Sequence, residues 1–187
     1  MESDNNTTSP DISVILPALN EETTIGICIG KIQQMFRSMG IRGEVIVSDS
    51  STDATPEIAQ SMGAIIVHPE HRGYGYAYLE AFRYARGRYI VIGDADNTYD
   101  FLELPLLIRK LDEGADLVIG SRFKGEILDG AMIPLHRYIG NPLLTWVLNK
   151  VFGTDFSDTH SGFRAIRADS LKRLNLQSWE WNLPPRC

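Results

Sequence analysis

Five short apolar runs, separated by helix-like or polar stretches, constrain this chain more than any other feature. They cover residues 12–16 (ISVIL), 44–48 (EVIVS), 64–68 (AIIVH), 89–93 (YIVIG) and 116–120 (DLVIG). Runs this uniformly apolar suit strands buried on both faces, as in a parallel sheet packed between helices. The intervening stretches read as helices. Residues 22–39 have helical character and stop at Gly40, and 51–63 opens with Ser and Thr, has Pro56 early and ends on Gly63. Residues 76–86 and 101–113 complete the alternation. The pattern predicts a single α/β domain with a mostly parallel sheet and helices on both faces.

Composition narrows what such a domain can bind. The 187 residues are 43% hydrophobic and 22% charged, enough for one real core. A net charge of -6 argues against a general binder of nucleic-acid backbones, so no nucleic-acid partner is expected. Cys28 and Cys187 are far apart and suggest neither a disulfide framework nor a zinc site, so a reducing, cytoplasmic setting is expected. Residues 1–10 are polar and lack the apolar segment of a signal peptide; a disordered lead is expected there. No window reaches the roughly 18 apolar residues of a membrane span.

In open parallel sheets, ligands gather beyond the carboxyl ends of the strands. Polar residues fall at those positions: Asn20 and Glu21 after the first run, Asp49 after the second, His68 after the third, Asp94 and Asp96 after the fourth, and Arg122 after the fifth. Pro17 cannot continue a central strand, so a turn is expected that presents Asn20 and Glu21. Asp49 and Asp53 flank a Ser/Thr-rich turn, where a carboxylate can accept hydrogen bonds from a base or ribose. Gly73 and Gly75 just before a helix allow close approach of backbone to an anionic ligand. Arg72 there is either a phosphate partner or a solvated charge.

The stretch IVIGDADNTYD carries the chemistry. On extended backbone, Asp94 and Asp96 point the same way, and hard oxygen ligands suit Mg²⁺ or Mn²⁺ bridging the phosphates of a nucleotide. The same DADNT also fits the Asp-x-Asp-x-Thr pattern of haloacid-dehalogenase-type phosphotransferases, in which the first Asp attacks phosphorus. That motif normally follows a first core strand, whereas here three strand–helix units precede it.

The segments VILPALNEE, VSDSSTDAT, HRGYGYA, DAD, GSR and DTHSGFRA, in this order, resemble family 2 glycosyltransferases of the glycosyltransferase-A fold. The nearest branch is similar to the dolichyl- or polyprenyl-phosphate sugar transferases. The resemblance covers about residues 11–175, and one catalytic domain is expected over 11–178. It implies a nucleotide-sugar donor bordered by Pro17, Ala18, Asn20, Glu21, Asp49, Asp53, Gly73, Gly75 and Asp94. It implies Asp96 as the firmer ligand of the metal, with Asp94 near the metal or ribose.

Arginine offers planar, bidentate donors for phosphate oxygens. The resemblance places Arg122 and Arg137 with the catalytic aspartates, and Arg137, Ser161 and Arg164 on the phosphate of a polyprenyl or dolichyl acceptor. His160 reads as a hydrogen-bonded loop residue. A lipid phosphate is already ionised near neutrality, so the implied inverting displacement needs no protein base. The segment NPLLTWVLNKVFG is apolar on nearly every face; it is either core or a contact, over residues 142–152, with the cytoplasmic face of a membrane.

Two features depart from the resemblance. Mannosyltransferases of this branch typically carry Gln two positions after the second Asp, where this chain has Thr98, a departure that tells against mannose without naming another sugar. The tail 179–187 (WEWNLPPRC) resembles no element of the fold. One synonymous coding of it, read in a shifted frame, gives a family-like continuation, so a frame change that truncates the catalytic domain is expected there. A nucleotide-binding remnant without transferase activity is therefore the alternative expectation.

Overall fold

The computed structural model describes residues 9–121, 140–154, 156–159 and 161–176. Arg122, Arg137, His160 and the tail 179–187 lie outside the described residues. The strands are β1 (Ile12–Ala18), β2 (Gly43–Asp49), β3 (Ile65–Val67), β4 (Tyr89–Ile92), β5 (Leu117–Ile119) and β6 (Arg164–Arg167). The helices are α1 (Ile25–Met39), α2 (Thr55–Ser61), α3 (Tyr74–Phe82), α4 (Leu104–Asp112), α5 (Asn141–Phe152) and α6 (Ala168–Arg173), with a 3-10 turn at Phe101–Glu103 before α4.

These strands form one sheet in the order β3-β2-β1-β4-β6-β5. Strands β1 to β4 pair in parallel, and β6 runs antiparallel between β4 and β5. The chain steps outward from β1 to β3 and then returns to lay β4 on the other side of β1. That reversal opens a crevice between the carboxyl ends of β1 and β4, where ligands bind in open α/β sheets.

The period-two alternation of β1 explains its double burial. Ile12, Val14 and Leu16 pack with Ile25, Cys28, Ile29 and Ile32 of α1 and with Leu104, Leu107 and Leu111 of α4. Ile15 faces the other side with Ile46, Val67, Tyr78, Ala81 and Ile90. Fully burying each such aliphatic side chain contributes about 1.5–3 kcal/mol.

Two expectations need correction. Pro17 does not end β1, which pairs with β2 through Pro17↔Ser48 and Ala18↔Asp49. The pairing of β1 with β4 stops at Ile15↔Ile92, and the Ile15 carbonyl accepts from the Gly93 N–H at 3.2 Å. Pro17 shares the parity of Ile15, so its missing N–H faces the side that β4 has already left. The other correction is β6, a charged four-residue strand that the apolar-run pattern does not show. Its Ala165 is fully buried, and Arg167 Nε donates to the Ala115 carbonyl at 2.9 Å, with Nη2 on the Leu111 carbonyl near the C-terminus of α4.

The core alternative for residues 142–152 does not hold for α5. Among its described side chains only Thr145 is buried, while Trp146, Val151 and Phe152 are 59%, 68% and 70% exposed. Asn149 anchors the helix to the following loop, donating to the Phe156 carbonyl at 2.8 Å and accepting from the Phe156 N–H at 3.0 Å.

Candidate active site

The crevice wall beyond β1 is locked to the turn after β2. Asn20 adopts φ 61, a left-handed conformation that Asn tolerates better than most residues. Its side-chain oxygen accepts from the Thr52 N–H at 2.9 Å, and its own N–H donates to Ser51 Oγ at 2.8 Å. The Glu21 N–H donates to Thr55 Oγ1 at 2.8 Å, and Thr55 Oγ1 donates to Asp53 Oδ1 at 2.5 Å. Asp53 Oδ2 also accepts from the Glu22 N–H at 3.2 Å. Asp53 is thus a brace between two loops. Desolvation raises its carboxyl, but the hydrogen bonds from Thr55 and Glu22 outweigh that and hold it below its usual range.

Asp49 ends β2 and is 2% exposed. Its Oδ2 accepts from the Ser51 N–H at 3.3 Å, whereas Oδ1 has no hydrogen-bond partner among the described residues. Leaving a buried carboxylate oxygen unpaired costs roughly 1–3 kcal/mol, so this atom is an unsatisfied acceptor at the end of β2.

Across the crevice, Asp94 and Asp96 follow β4 and differ sharply. Asp94 is partly buried, and its Oδ1 accepts a hydrogen bond from the Tyr74 hydroxyl. Burial, then the neighbouring charge of Asp96, raises its carboxyl pKa, while Tyr74, Tyr99 and Arg164 act in the opposite sense. Burial, and next the Asp94 charge, push the Tyr74 phenol well above its usual range, so it stays a donor. Asp96 is exposed, with Oδ1 accepting from the Thr98 N–H at 2.8 Å. Glu21 reaches toward the same place: burial raises its carboxyl first, and the charges of Asp96, Asp53 and Asp94 raise it further.

The segment before β6 closes this side. Ser161 is buried and its Oγ accepts from the Phe163 N–H at 3.3 Å. Arg164 Nε donates to the Ser161 carbonyl at 2.8 Å and Nη2 to the Thr159 carbonyl at 3.3 Å. Both residues therefore shape the loop beside Asp94.

Of the sequence-derived residues, Asp53, Asp94 and Asp96 lie close enough to act electrostatically on Glu21. Pro17, Ala18, Asn20 and Asp49 stand at the adjoining carboxyl ends of β1 and β2, and Gly73 and Gly75 flank Tyr74. Gly73 has φ 137, which favours glycine at the start of α3. Tyr74, Tyr99 and Thr55 were missed. Their one sequence signal is position: Tyr74 lies between the two glycines, and Tyr99 three residues beyond Asp96.

The donor set fits a divalent cation that is completed by its substrate. Asp94, Asp96 and Glu21 make the crevice anionic, yet among the described residues no three His, Cys, Asp or Glu side chains gather closely enough to hold a metal alone. Mg²⁺ characteristically takes one or two carboxylates plus substrate phosphates.

The model of the family described as glycosyl transferase family 2 matches residues 13–174. The chain is 52% identical over 171 residues to the low-salt glycan biosynthesis hexosyltransferase of Haloferax volcanii, covering 91% of this chain and 41% of that protein. It is 35% identical over 166 residues to the dolichyl-phosphate hexose transferase of the same organism, covering 88% and 69%. Among solved structures, it matches glucosyl-3-phosphoglycerate synthase from Mycobacterium tuberculosis in complex with Mn²⁺, UDP-glucose and phosphoglyceric acid. That match has a TM-score of 0.65 and 30% identity, and covers 86% of this chain and 57% of the synthase. The chain thus spans about two fifths of the first of these relatives.

Proposed function

Because this chain belongs to glycosyl transferase family 2, we propose that it moves a hexose from a nucleoside-diphosphate sugar to a polyprenyl or dolichyl phosphate, with inversion at the anomeric carbon. The observation that carries this reading is the convergence of Asp94 and Asp96 on Glu21 at the carboxyl ends of β4 and β1, with Asp49 at the end of neighbouring β2. Asp96 offers an exposed carboxylate for the diphosphate end, and the unpaired Asp49 Oδ1 at the end of β2 is assigned to the base or ribose.

Asp96, with oxygens of the donor diphosphate, would hold Mg²⁺ or Mn²⁺. When bound, the cation neutralises the charge that develops on the leaving diphosphate. The chain's own residues do the rest. The Asn20–Thr52 and Asp53–Thr55 hydrogen bonds fix the wall on which the nucleoside lies, and Glu21 adds negative charge that favours a cation. The acceptor phosphate is ionised near neutrality and needs no base to become a nucleophile. A phosphoryl-nucleophile role for Asp94 finds no support, since Tyr74 already holds its Oδ1.

The identity to a dolichyl-phosphate hexose transferase supports the acceptor class. The exposed apolar face of α5, with Leu143, Trp146, Val147 and Val151, supports contact with a lipid surface. Among the described residues, no helix is long and apolar enough to cross a membrane.

Calorimetric titration of UDP and of GDP, each with Mn²⁺, tests the donor half of this reading. Metal-dependent binding that is lost in Asp96→Ala supports it, and equal binding by both proteins would falsify the metal assignment.

A further inference from the structure

We infer that Tyr74 and Tyr99 are positioning residues of the donor site, clamping Asp94 from opposite walls so that Asp96 alone turns to the diphosphate and its cation. The inference rests on the donor-site reading above and adds a division of labour between the two aspartates.

The hydrogen bonds run inward from three separate segments. From α3, the Tyr78 hydroxyl donates to the Tyr74 hydroxyl at 3.0 Å, and Tyr74 donates to Asp94 Oδ1. The two rings meet edge to face with centroids 4.8 Å apart, and Tyr78 is buried, so the outer phenol is fixed by the core. From the loop before β6, the Gly162 N–H donates to the Tyr99 hydroxyl at 2.8 Å. Tyr99 stacks on Phe163 at 5.7 Å, and its hydroxyl lies with Asp94 Oδ2 against the same Gly162. Tyr74 therefore receives one hydrogen bond and passes one to the carboxylate, and Tyr99 receives one beside it.

Gly162 is part of the same device. A Cβ at that position would lie 2.9 Å from the Tyr99 hydroxyl and 3.1 Å from Asp94 Oδ2. The second carboxylate oxygen is thus packed against backbone, and the loop can approach only because residue 162 has no side chain. Asp94 ties the glycine-flanked turn before α3, the segment after β4 and the loop before β6 to one point. Its Oδ1 is committed to Tyr74 and its Oδ2 is packed against the loop, whereas Asp96 is exposed and spends only Oδ1 on the Thr98 N–H.

Tyr74→Phe and Tyr99→Phe each remove a single hydroxyl and keep the ring that packs. Titration of UDP and GDP with and without Mn²⁺ reads their effect beside melting temperature. Each variant is expected to keep a near-native melting temperature and to lose roughly tenfold in Mn²⁺-dependent nucleotide affinity, the scale of one hydrogen bond to a charge. Metal-free nucleotide binding is expected to change little, whereas a purely structural role would weaken both alike. Tyr78→Phe, which removes only the outer donor, is expected to show the same loss on a smaller scale. Gly162→Ala adds a second route to the same misplacement of Asp94. If wild type binds neither nucleotide with Mn²⁺, the donor-site reading itself fails. If wild type binds, Asp96→Asn weakens binding and the tyrosine variants match wild type, the positioning role is overturned and the donor site stands.

Discussion

The imidazole Nδ1 of His68 lies 3.3 Å from the backbone carbonyl of Asp49 and 3.9 Å from its Oδ2, and so braces the buried carboxylate from the end of β3. Asp49 Oδ1 is left buried and unpaired among the described residues, and the proposed function gives Asp49 the role of acceptor for a nucleoside donor group. Asp49→Asn keeps the volume and exchanges one acceptor for a donor. It is expected to weaken the preferred nucleoside diphosphate roughly tenfold or more and to narrow the spread among UDP, GDP and CDP affinities. Competition titrations of the three nucleotides measure this, and an unchanged preference order would assign base recognition elsewhere.

Cys28 packs beneath the aspartate segment, its Sγ donating to the Ala95 carbonyl at 3.4 Å. Burial pushes the thiol up to about 11. The thiolate is the reactive form, so the Cys28 peptide should resist iodoacetamide near pH 8 in the native protein and react after urea unfolding. The sign for stability follows from the raised native pKa. Its contribution is full below the unfolded thiol range and is lost as pH rises toward about 11. Cys28→Ala should therefore flatten the alkaline limb of a melting-temperature profile.

Asp53 titrates in the opposite sense. Its carboxyl is held below the usual carboxylate range by Thr55 and Glu22 despite desolvation. Its stabilising contribution is present above the unfolded carboxylate range and disappears as pH falls through the lower native value. Melting curves across acid pH should show wild type losing more stability than Asp53→Asn. Parallel profiles would mean that the brace between the two loops contributes nothing.

Two glycines should respond oppositely to alanine. A Cβ on Gly87 would sit 2.4 Å from the Ser13 backbone nitrogen and 2.7 Å from the Ile12 carbonyl carbon, where β1 cannot retreat. Gly87→Ala is expected to destabilise by about 1–3 kcal/mol. At Gly26 the nearest atoms are ordinary contacts at 3.5 and 3.6 Å from flexible side chains, and the residue lies in α1. Gly26→Ala should be neutral or stabilising by about 0.5–1 kcal/mol. Urea unfolding of both variants checks the contrast.

Much of this fold is legible in the sequence. The uniformly apolar runs at 12–16, 44–48 and 89–93 mark β1, β2 and β4 because central parallel strands need apolar side chains on both faces. Polar residues at their carboxyl ends then point to the crevice. β6 was not legible, since a four-residue strand bearing Arg164 and Arg167 becomes interior only through pairing with β4 and β5 far away in sequence. Pro17 misled for a related reason: whether a proline fits a strand depends on which neighbour its missing N–H faces. The tyrosine clamp was hidden because Tyr74 and Tyr99 look like ordinary aromatic residues until the fold brings both to Asp94.

The central claim is hexose transfer from a nucleotide sugar to a lipid phosphate. Its most direct test incubates the protein with a short polyprenyl phosphate, Mg²⁺ or Mn²⁺ and radiolabelled UDP-glucose, UDP-galactose, UDP-N-acetylglucosamine and GDP-mannose in turn. The account predicts a labelled glycosyl polyprenyl phosphate from one donor, dependent on the metal and reduced at least about a hundredfold in Asp96→Asn. Folded protein that binds nucleotide and metal yet yields no glycolipid from any of these donors would contradict it.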